Sequence, residues 1–322
     1  MDRNLVLNLA RVTEAAALNS AKFLGRGDKN AADQAAVDSM RRMFDTVDIN
    51  GTVVIGEGEI DEAPMLYIGE RIGIQNENSL RVDIAVDPLD GTSAIANGMN
   101  DAISVVAVAP EGKLLHAPDM YMNKLAVGPL AKGLVSIKNS IEENLDILVK
   151  ALSKDISEIT VVMLRRERHN ELAERVRKKG ARIRFIEDGD VLGAMSTCFD
   201  DVSGDMLIGI GGAPEGVITA CALKCLGGQF EGILLPKDEE EEKRCLAMGV
   251  ECNKIYTIDD MVKGNEAAFA ATGVSHGELL DGVHFLKNNI ATTETLVLRA
   301  ETGTVRFIKA THKLDKKPEY AK

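Results

Sequence analysis

No apolar run in this 322-residue chain approaches the length that a bilayer-spanning helix requires, which is roughly 20 residues. No membrane-spanning helix is therefore expected. The amino terminus, Met1-Asp2-Arg3-Asn4, leads into an amphipathic pattern broken by Arg11 and Glu14, and this is not the pattern of a signal peptide. Cysteine is scarce: Cys198, Cys221, Cys225, Cys245 and Cys252 make an odd count without metal-knuckle spacing, which points to the reducing cytoplasm. Cys221 and Cys225, four apart in a helical-looking segment, could face a soft metal together, but buried cysteines usually act as small hydrophobes. Basic residues are outnumbered, 38 Lys and Arg against 50 Asp and Glu, and the net charge of −12 argues against a nucleic-acid or acidic-membrane partner. The five histidines (His116, His169, His276, His284, His312) show no ligand pairing, and no nucleophilic serine elbow is present. Internal repeats and low-complexity tracts are absent as well.

What remains is the composition of a globular protein, 45% hydrophobic and 27% charged, long enough for about two domains. Residues 5 to 24 carry Leu5, Leu9, Val12, Ala16 and Phe23 at roughly helical spacing, and a second helix is expected from Ala31 to Phe44 after a cap at Asn30. Thr52–Ile55 and Ile103–Ala109 read as strands. A helical stretch at 141 to 152 looks like a hinge, which divides the chain into an N-terminal metal-binding α+β half, 1–154, and a C-terminal α/β half, 155–322. In the second half the pattern is strand, loop, helix, repeated: Ile159–Leu164, Arg182–Ile186 and Met206–Ile210 each lead into a helix. This rhythm predicts a doubly wound fold with ligands at the carboxyl ends of its strands. The acidic run Asp238 to Glu242 reads as a solvated loop or helix face.

The most informative stretch is Asp87-Pro88-Leu89-Asp90-Gly91-Thr92, following the apolar run Val82–Val86. Two carboxylates three apart, with proline and glycine to shape a turn, can be aimed at one point. Hard cations such as Mg²⁺ or Mn²⁺ take such oxygen ligands. Further carboxylates stand at element ends: Asp33 early in a helix, Glu57 just past a strand, and Glu215 in the first turn of a helix. Each alone is better explained by capping and the helix dipole. Together, without a matching His/Cys set, they favour Mg²⁺, Mn²⁺ or Ca²⁺ over Zn²⁺. Two such ions about 4 Å apart clamp a phosphate ester. In the loop Gly56-Glu57-Gly58-Glu59-Ile60-Asp61-Glu62, Glu57 is the ligand candidate, and Asp61 is placed to accept a hydrogen bond from Thr92 and turn that hydroxyl toward a nucleophilic water.

The charge deficit poses a question for any phosphorylated substrate, because the chain must offset the repulsion locally. Arg165, Arg166 and Arg168 at a strand end suit bidentate phosphate binding, although a charged surface helix start explains them equally well. Lys29, four residues before Asp33, is a further phosphate or carboxylate partner. Gly209 to Gly216 is a phosphate-cradle candidate at a helix start. Pro214 interrupts dinucleotide-binding glycine spacing, and no Lys-Ser/Thr ending makes it a Walker loop.

Four segments carry a resemblance to a known family: Gly56 to Met65, Asp87 to Thr92, Ala117-Pro118-Asp119-Met120-Tyr121-Met122, and Gly211 to Gly216. In these the chain resembles the bacterial class II fructose-1,6-bisphosphatases, of the lithium-sensitive, metal-dependent phosphatase superfamily. The likeness continues through Asn289-Ile290-Ala291-Thr292-Thr293-Glu294-Thr295. It implies an α/β fold, an α+β layered sandwich of two stacked halves with the active site between them. It implies Mn²⁺ or Mg²⁺ held by Asp33, Glu57, Asp87, Asp90 and Glu215, where many relatives have glutamate in place of Asp90. It implies substrate contacts from Asp90, Gly91, Thr92, Tyr121, Arg166, Glu167, Arg168, Asp188, Gly189, Asp190 and Gly212, with Thr92, Asp61 and Lys29 as the catalytic group.

The expected reaction is hydrolysis of the C1 phosphate of fructose 1,6-bisphosphate in gluconeogenesis, by a cytoplasmic homo-oligomer (dimer or tetramer). Several relatives also hydrolyse the seven-carbon sedoheptulose bisphosphate. An inositol or nucleotide phosphatase and a non-catalytic sugar-phosphate sensor are the other readings of the same residues.

Overall fold

The computed structural model describes residues 3–58 and 65–318. In chain order the elements are α1 (Arg3–Ser20), α2 (Lys29–Phe44), β1 (Ile49–Ile55), β2 (Arg71–Ile72), β3 (Leu80–Asp90), α3 (Thr92–Ala96) and β4 (Ile103–Pro110). There follow β5 (Tyr121–Val127), α4 (Ile141–Leu152), β6 (Thr160–Leu164), α5 (Asn170–Lys179), β7 (Arg182–Ile186), α6 (Asp190–Met195), β8 (Met206–Gly212), α7 (Ala213–Leu226), β9 (Gln229–Leu235), α8 (Glu239–Ala247), β10 (Ile255–Thr257) and α9 (Ile258–Met261). The chain ends with β11 (Ala268–Gly273), β12 (His284–Leu286), β13 (Ile290–Arg299) and β14 (Thr304–Lys313). The class is α/β, as expected.

Two compact units share these elements: residues 1–115 with 264–322, and residues 116–263. A division after residue 154 differs from this at both ends. Residues 116–154 lie with the second unit, and α4 is part of its core rather than a hinge. Residues 264–322 return to the first unit because β11 pairs antiparallel with β4 over its whole length, from Ala268 opposite Val108 to Gly273 opposite Ile103. Pairing this distant in sequence leaves no local signal.

The first unit is built on an eight-stranded sheet in the order β12-β13-β11-β4-β3-β1-β2, with β14 paired along β13. Its central strands are largely buried, β3 from Val82 to Val86 and β4 from Ile103 to Ala109, as strands covered on both faces should be. Helix α1 lays Leu5, Leu9, Val12 and Ala16 into the core, each buried and spaced three or four apart, so that they share one stripe. Full burial of a leucine such as Leu9 contributes about 1.5–3 kcal/mol. Helix α2 begins two residues earlier than expected: Asp28, not Asn30, is its cap, and its carboxylate accepts from the Ala31 N–H at 3.0 Å.

The second unit has a six-stranded sheet in the order β10-β9-β5-β8-β6-β7. The strand–helix alternation from β6 to α7 is as the sequence pattern predicts. The sheet is nevertheless mixed, not doubly wound parallel. Only β6–β7 and β6–β8 are parallel, and β5 runs antiparallel to both β8 and β9. The sequence reading assigned no strand to β5, because Asn123 and Lys124 interrupt its apolar run. Leu125 and Val127 of β5 pack with Ile141, Leu145 and Leu148 of α4 and with Ala173 and Val176 of α5. On the opposite face Met122 meets α7 at Gly216. The acidic run serves a local purpose: Asp238 caps α8 by accepting from Glu240 N and Glu241 N.

Candidate functional site

In the first unit the expected carboxylates lie on three elements: Asp33 in α2, Glu57 just past β1, and Asp87 and Asp90 in the last part of β3. Val82 to Val86 are buried, but the strand does not stop there; it continues to Asp90. Asp87 lies opposite Val105 and Asp90 opposite Ile103, so three steps on β3 match two on β4. The extra residue is a β-bulge at Pro88–Leu89, a position where a ladder tolerates proline. Residues three apart on a regular strand point to opposite faces, and the bulge cancels that alternation. The expected turn is thus a strand irregularity with the same consequence. Asp87 Oδ1 accepts from the Leu89 N–H at 3.0 Å, which fixes its rotamer, and Asp90 is buried.

Gly91 follows with φ +103°, and a Cβ there would stand 3.1 Å from Ala102. It launches α3, whose first residue is the half-buried Thr92. Lys29, first residue of α2, reaches this helix: its Nζ donates to Ser93 Oγ at 2.7 Å. Asp33, one turn further along α2, is half-buried, and that burial raises its carboxyl above the ordinary range. Glu57 follows β1, and its N–H donates to Leu66 O at 3.0 Å. The chain is tight here, because a Cβ on Gly56 would meet Leu66 O at 1.9 Å. Asp61 lies outside the described residues.

In the second unit the expected substrate residues gather at strand ends. The Arg168 guanidinium lies over the Tyr121 ring at 4.8 Å, and its Nη2 donates to Ile210 O at 2.8 Å. Arg166 faces Asp188 at 3.6 Å, and Arg165 pairs with Glu187 at 2.5 Å. The basic cluster is therefore interleaved with acids from the end of β7 rather than standing as an open positive patch. Glu167 opens the exposed turn before α5. Gly189, with φ +77°, lets the chain turn into α6 at Asp190.

Two residues that the sequence reading passed over organise this region. His169 is buried between β6 and β8: its Nε2 accepts from Ile210 N–H at 2.8 Å, so Nδ1 carries the proton donated to Leu164 O, also at 2.8 Å. Burial, and the nearby Arg168 and Arg166, push its pKa below the usual histidine value. Gly209 makes room for this ring, which a Cβ would approach to 3.0 Å. The other is Lys124, 1% exposed, whose Nζ donates to Asp190 Oδ2 at 2.7 Å. A lysine inside the apolar strand Met122–Val127 was the available signal, since an isolated buried ammonium is costly and implies a buried partner.

The glycines of the presumed phosphate cradle border this pair. A Cβ on Gly211 would fall 2.1 Å from Asp190 Oδ2, and one on Gly212 would fall 1.9 Å from Glu215 Oε2. The space beside them holds the chain's own carboxylates. Glu215 is raised above the ordinary carboxyl range by burial, against the lowering field of Lys124. Its Oε2, like Asp190 Oδ1, is buried with no hydrogen-bond partner among the described residues.

Among the described residues no three His, Cys, Asp or Glu side chains converge closely enough to hold a metal ion. The residues fit a hard cation in chemistry. The candidate donors are all carboxylate oxygens, and a buried oxygen lacking a partner, such as Glu215 Oε2, is the kind of group a cation satisfies. No helix among the described residues is long and apolar enough to cross a membrane.

Comparison with known proteins bears on the whole chain. Residues 3–312 match the family described as bacterial fructose-1,6-bisphosphatase, glpX-encoded. Fructose-1,6-bisphosphatase 1 class 2 of Escherichia coli (strain K12) is 47% identical, with 98% of this chain and 97% of the relative covered. Fructose-1,6-bisphosphatase class 2 of Haemophilus influenzae is 44% identical, with 98% of each covered. A match running from the first strands to the last and carrying both carboxylate loops settles the family: the chain belongs to the bacterial, glpX-encoded fructose-1,6-bisphosphatases.

Proposed function

We propose that the chain hydrolyses the C1 phosphate of fructose 1,6-bisphosphate, releasing fructose 6-phosphate and inorganic phosphate, with Mn²⁺ or Mg²⁺ as cofactor. The observation that carries the reading is the buried, unpartnered Glu215 Oε2 in a chain matched over 98% of its length by proteins named for this reaction. The proposed cation ligands are Asp33, Glu57, Asp87, Asp90 and Glu215. When bound, the cation would supply positive charge to the phosphoryl oxygens, opposing locally the repulsion expected between a phosphorylated substrate and a chain of net charge −12.

The remaining work belongs to the chain. Thr92 Oγ1, at the head of α3, orients the attacking water by accepting one of its protons in a hydrogen bond. Asp61 accepts the Thr92 hydroxyl proton in turn and so fixes which way that oxygen points. Lys29, anchored on Ser93 beside Thr92, offers an ammonium to the transferring phosphate. The water attacks phosphorus in line, the bond to the sugar C1 oxygen breaks, and that oxygen ends with the proton that the water gives up. Arg166 and Arg168 hold the second phosphate, Tyr121 braces Arg168, and Asp188, Asp190 and the backbone of Gly189 and Gly212 orient the sugar. Glu167, which opens the same turn, contributes its backbone. Catalysis of this kind is positioning and electrostatics, with little covalent chemistry for the protein to perform.

The test is phosphate release from a panel: fructose 1,6-bisphosphate, sedoheptulose 1,7-bisphosphate, an inositol phosphate and a nucleotide 3′-phosphate, each with Mn²⁺ and with Mg²⁺. The expected result is highest kcat/KM on fructose 1,6-bisphosphate and none after chelation. Preference for the inositol or nucleotide phosphate, or turnover undiminished by chelator, overturns the reading.

A further inference from the structure

The second unit buries three charged groups together. Lys124 is 1% exposed and Asp190 7% exposed, joined at 2.7 Å. The field of Lys124 also acts on Glu215, and the field of Asp190 opposes it there. One ammonium thus lies among two carboxyl groups, paired directly with Asp190 and leaving Glu215 Oε2 unmatched. Asp190 Oδ1 and Glu215 Oε2 are both buried with no hydrogen-bond partner among the described residues. The backbone is shaped to this arrangement. Gly211 and Gly212 stand where a Cβ would strike Asp190 Oδ2 and Glu215 Oε2, so the absence of side chains at these two positions is what lets the carboxylates occupy their places.

We propose that Lys124 is a positioning residue, a built-in cation that holds the Asp190–Glu215 pair together in the metal-free protein and sets how strongly that pair draws a divalent cation. This rests on the assignment of Glu215 as a cation ligand made above. With Lys124 in place the cluster sets one ammonium against two carboxyl groups, so it stays folded without a metal while an unmatched carboxyl oxygen remains for a divalent ion. Without it, the two buried carboxyl groups have no opposing charge beside them. The metal-free fold then loses stability, and the pair attracts a divalent ion more strongly, because a positive charge that repelled the ion has gone.

The experiment is Mn²⁺ titration of metal-free protein, read by thermal unfolding and by calorimetry, on wild type, Lys124→Met, Lys124→Arg and Glu215→Gln. Methionine keeps the length and apolar stem of lysine; arginine keeps the charge. The expected result for Lys124→Met is a lower Tm without metal, a larger Mn²⁺-induced rise in Tm, and Mn²⁺ binding tighter by on the order of tenfold. Lys124→Arg should return Mn²⁺ affinity to within about threefold of wild type. A Lys124→Met protein whose Mn²⁺ affinity is unchanged or weaker overturns the proposal, as does an arginine variant that behaves like methionine. If Lys124→Met does not fold without metal, Lys124→Gln replaces it under the same criteria. Glu215→Gln separates the two readings. If it retains the full Mn²⁺ response, the ligand assignment fails, whatever Lys124 does. If it loses that response while Lys124→Met matches wild type, only the role of Lys124 fails.

Discussion

Arg168 and Tyr121 form one unit: the guanidinium lies 4.8 Å from the ring centroid, and its Nε and Nη2 are both turned to Ile210 O, at 3.3 and 2.8 Å. Ring and carbonyl together fix the plane of a fork that suits a phosphate. Lysine cannot reproduce this, because its ammonium neither stacks nor presents paired donors. Arg168→Lys should therefore raise KM for fructose 1,6-bisphosphate about tenfold while leaving kcat within about twofold. Tyr121→Phe keeps the stacked face and should stay near wild type. Steady-state kinetics on both variants checks this, and a fall in kcat with unchanged KM would place Arg168 elsewhere in the reaction.

Gly211 predicts a different kind of failure. It sits in β8 without a positive φ, so alanine suits its backbone, and at an open site Gly→Ala would stabilise by about 0.4–1 kcal/mol. Here the new methyl would lie 2.1 Å from Asp190 Oδ2 and 3.2 Å from Lys124 Nζ. Neither can retreat cheaply, since both side chains are buried and paired. Gly211→Ala should cost about 1–3 kcal/mol. Denaturant unfolding with an unchanged m-value measures it, and a variant as stable as wild type would mean the buried pair has somewhere else to go.

How much of this was legible in the sequence differs by element. The strand–helix alternation of residues 159–226 and the apolar stripe of α1 follow from local periodicity, and both are present. The return of 264–322 to the first sheet rests on β11 pairing with β4, some 160 residues away, for which neither segment carries a mark. The Asp87–Thr92 stretch could be read as a site because its chemistry is concentrated in six residues. Its bulge could not, since a slip in pairing depends on the partner strand. Lys124 was overlooked for a related reason: a lysine is normally solvated, and only Asp190, 66 residues later, explains why this one is not.

Asp87 carries the most direct test of the proposed cation ligands. Asparagine keeps its shape and one oxygen acceptor, so the hydrogen bond from Leu89 N–H can persist and the bulge with it. What is lost is charge. Asp87→Asn should fold normally, with Tm within about 3 °C of wild type, since the lost charge is not part of the core. Its Mn²⁺-dependent phosphate release should fall at least about a hundredfold. Full activity would sink the assignment. Thr92→Ala should lower kcat far more than it changes KM, because the hydroxyl is proposed to orient water and not to bind substrate. Pre-steady-state and steady-state phosphate release distinguish the two.

The last prediction concerns pH and two buried histidines. Burial is the first cause for both, pushing His312 down from 6.5 to about 4 and His169 down to a lesser extent, each with a neighbouring cation helping: Lys317 for the first, Arg168 and Arg166 for the second. Both rings are neutral in the fold and already hydrogen-bonded, His312 with Thr293 Oγ1 at 2.8 Å and His169 with Leu164 O and Ile210 N–H. The unfolded chain takes up these protons near pH 6.5, and the folded one does not until lower pH. Stability is therefore fully present above about pH 6.5 and falls as pH drops toward 4, where His312 also protonates in the fold. For His312 the loss is at most about 3 kcal/mol. The measurement is ΔG of unfolding against pH for wild type and His312→Gln. Glutamine can hydrogen-bond Thr293 but does not titrate, so it should flatten the slope between pH 6.5 and 4. An equally steep slope in the variant would assign acid sensitivity to the carboxylates instead.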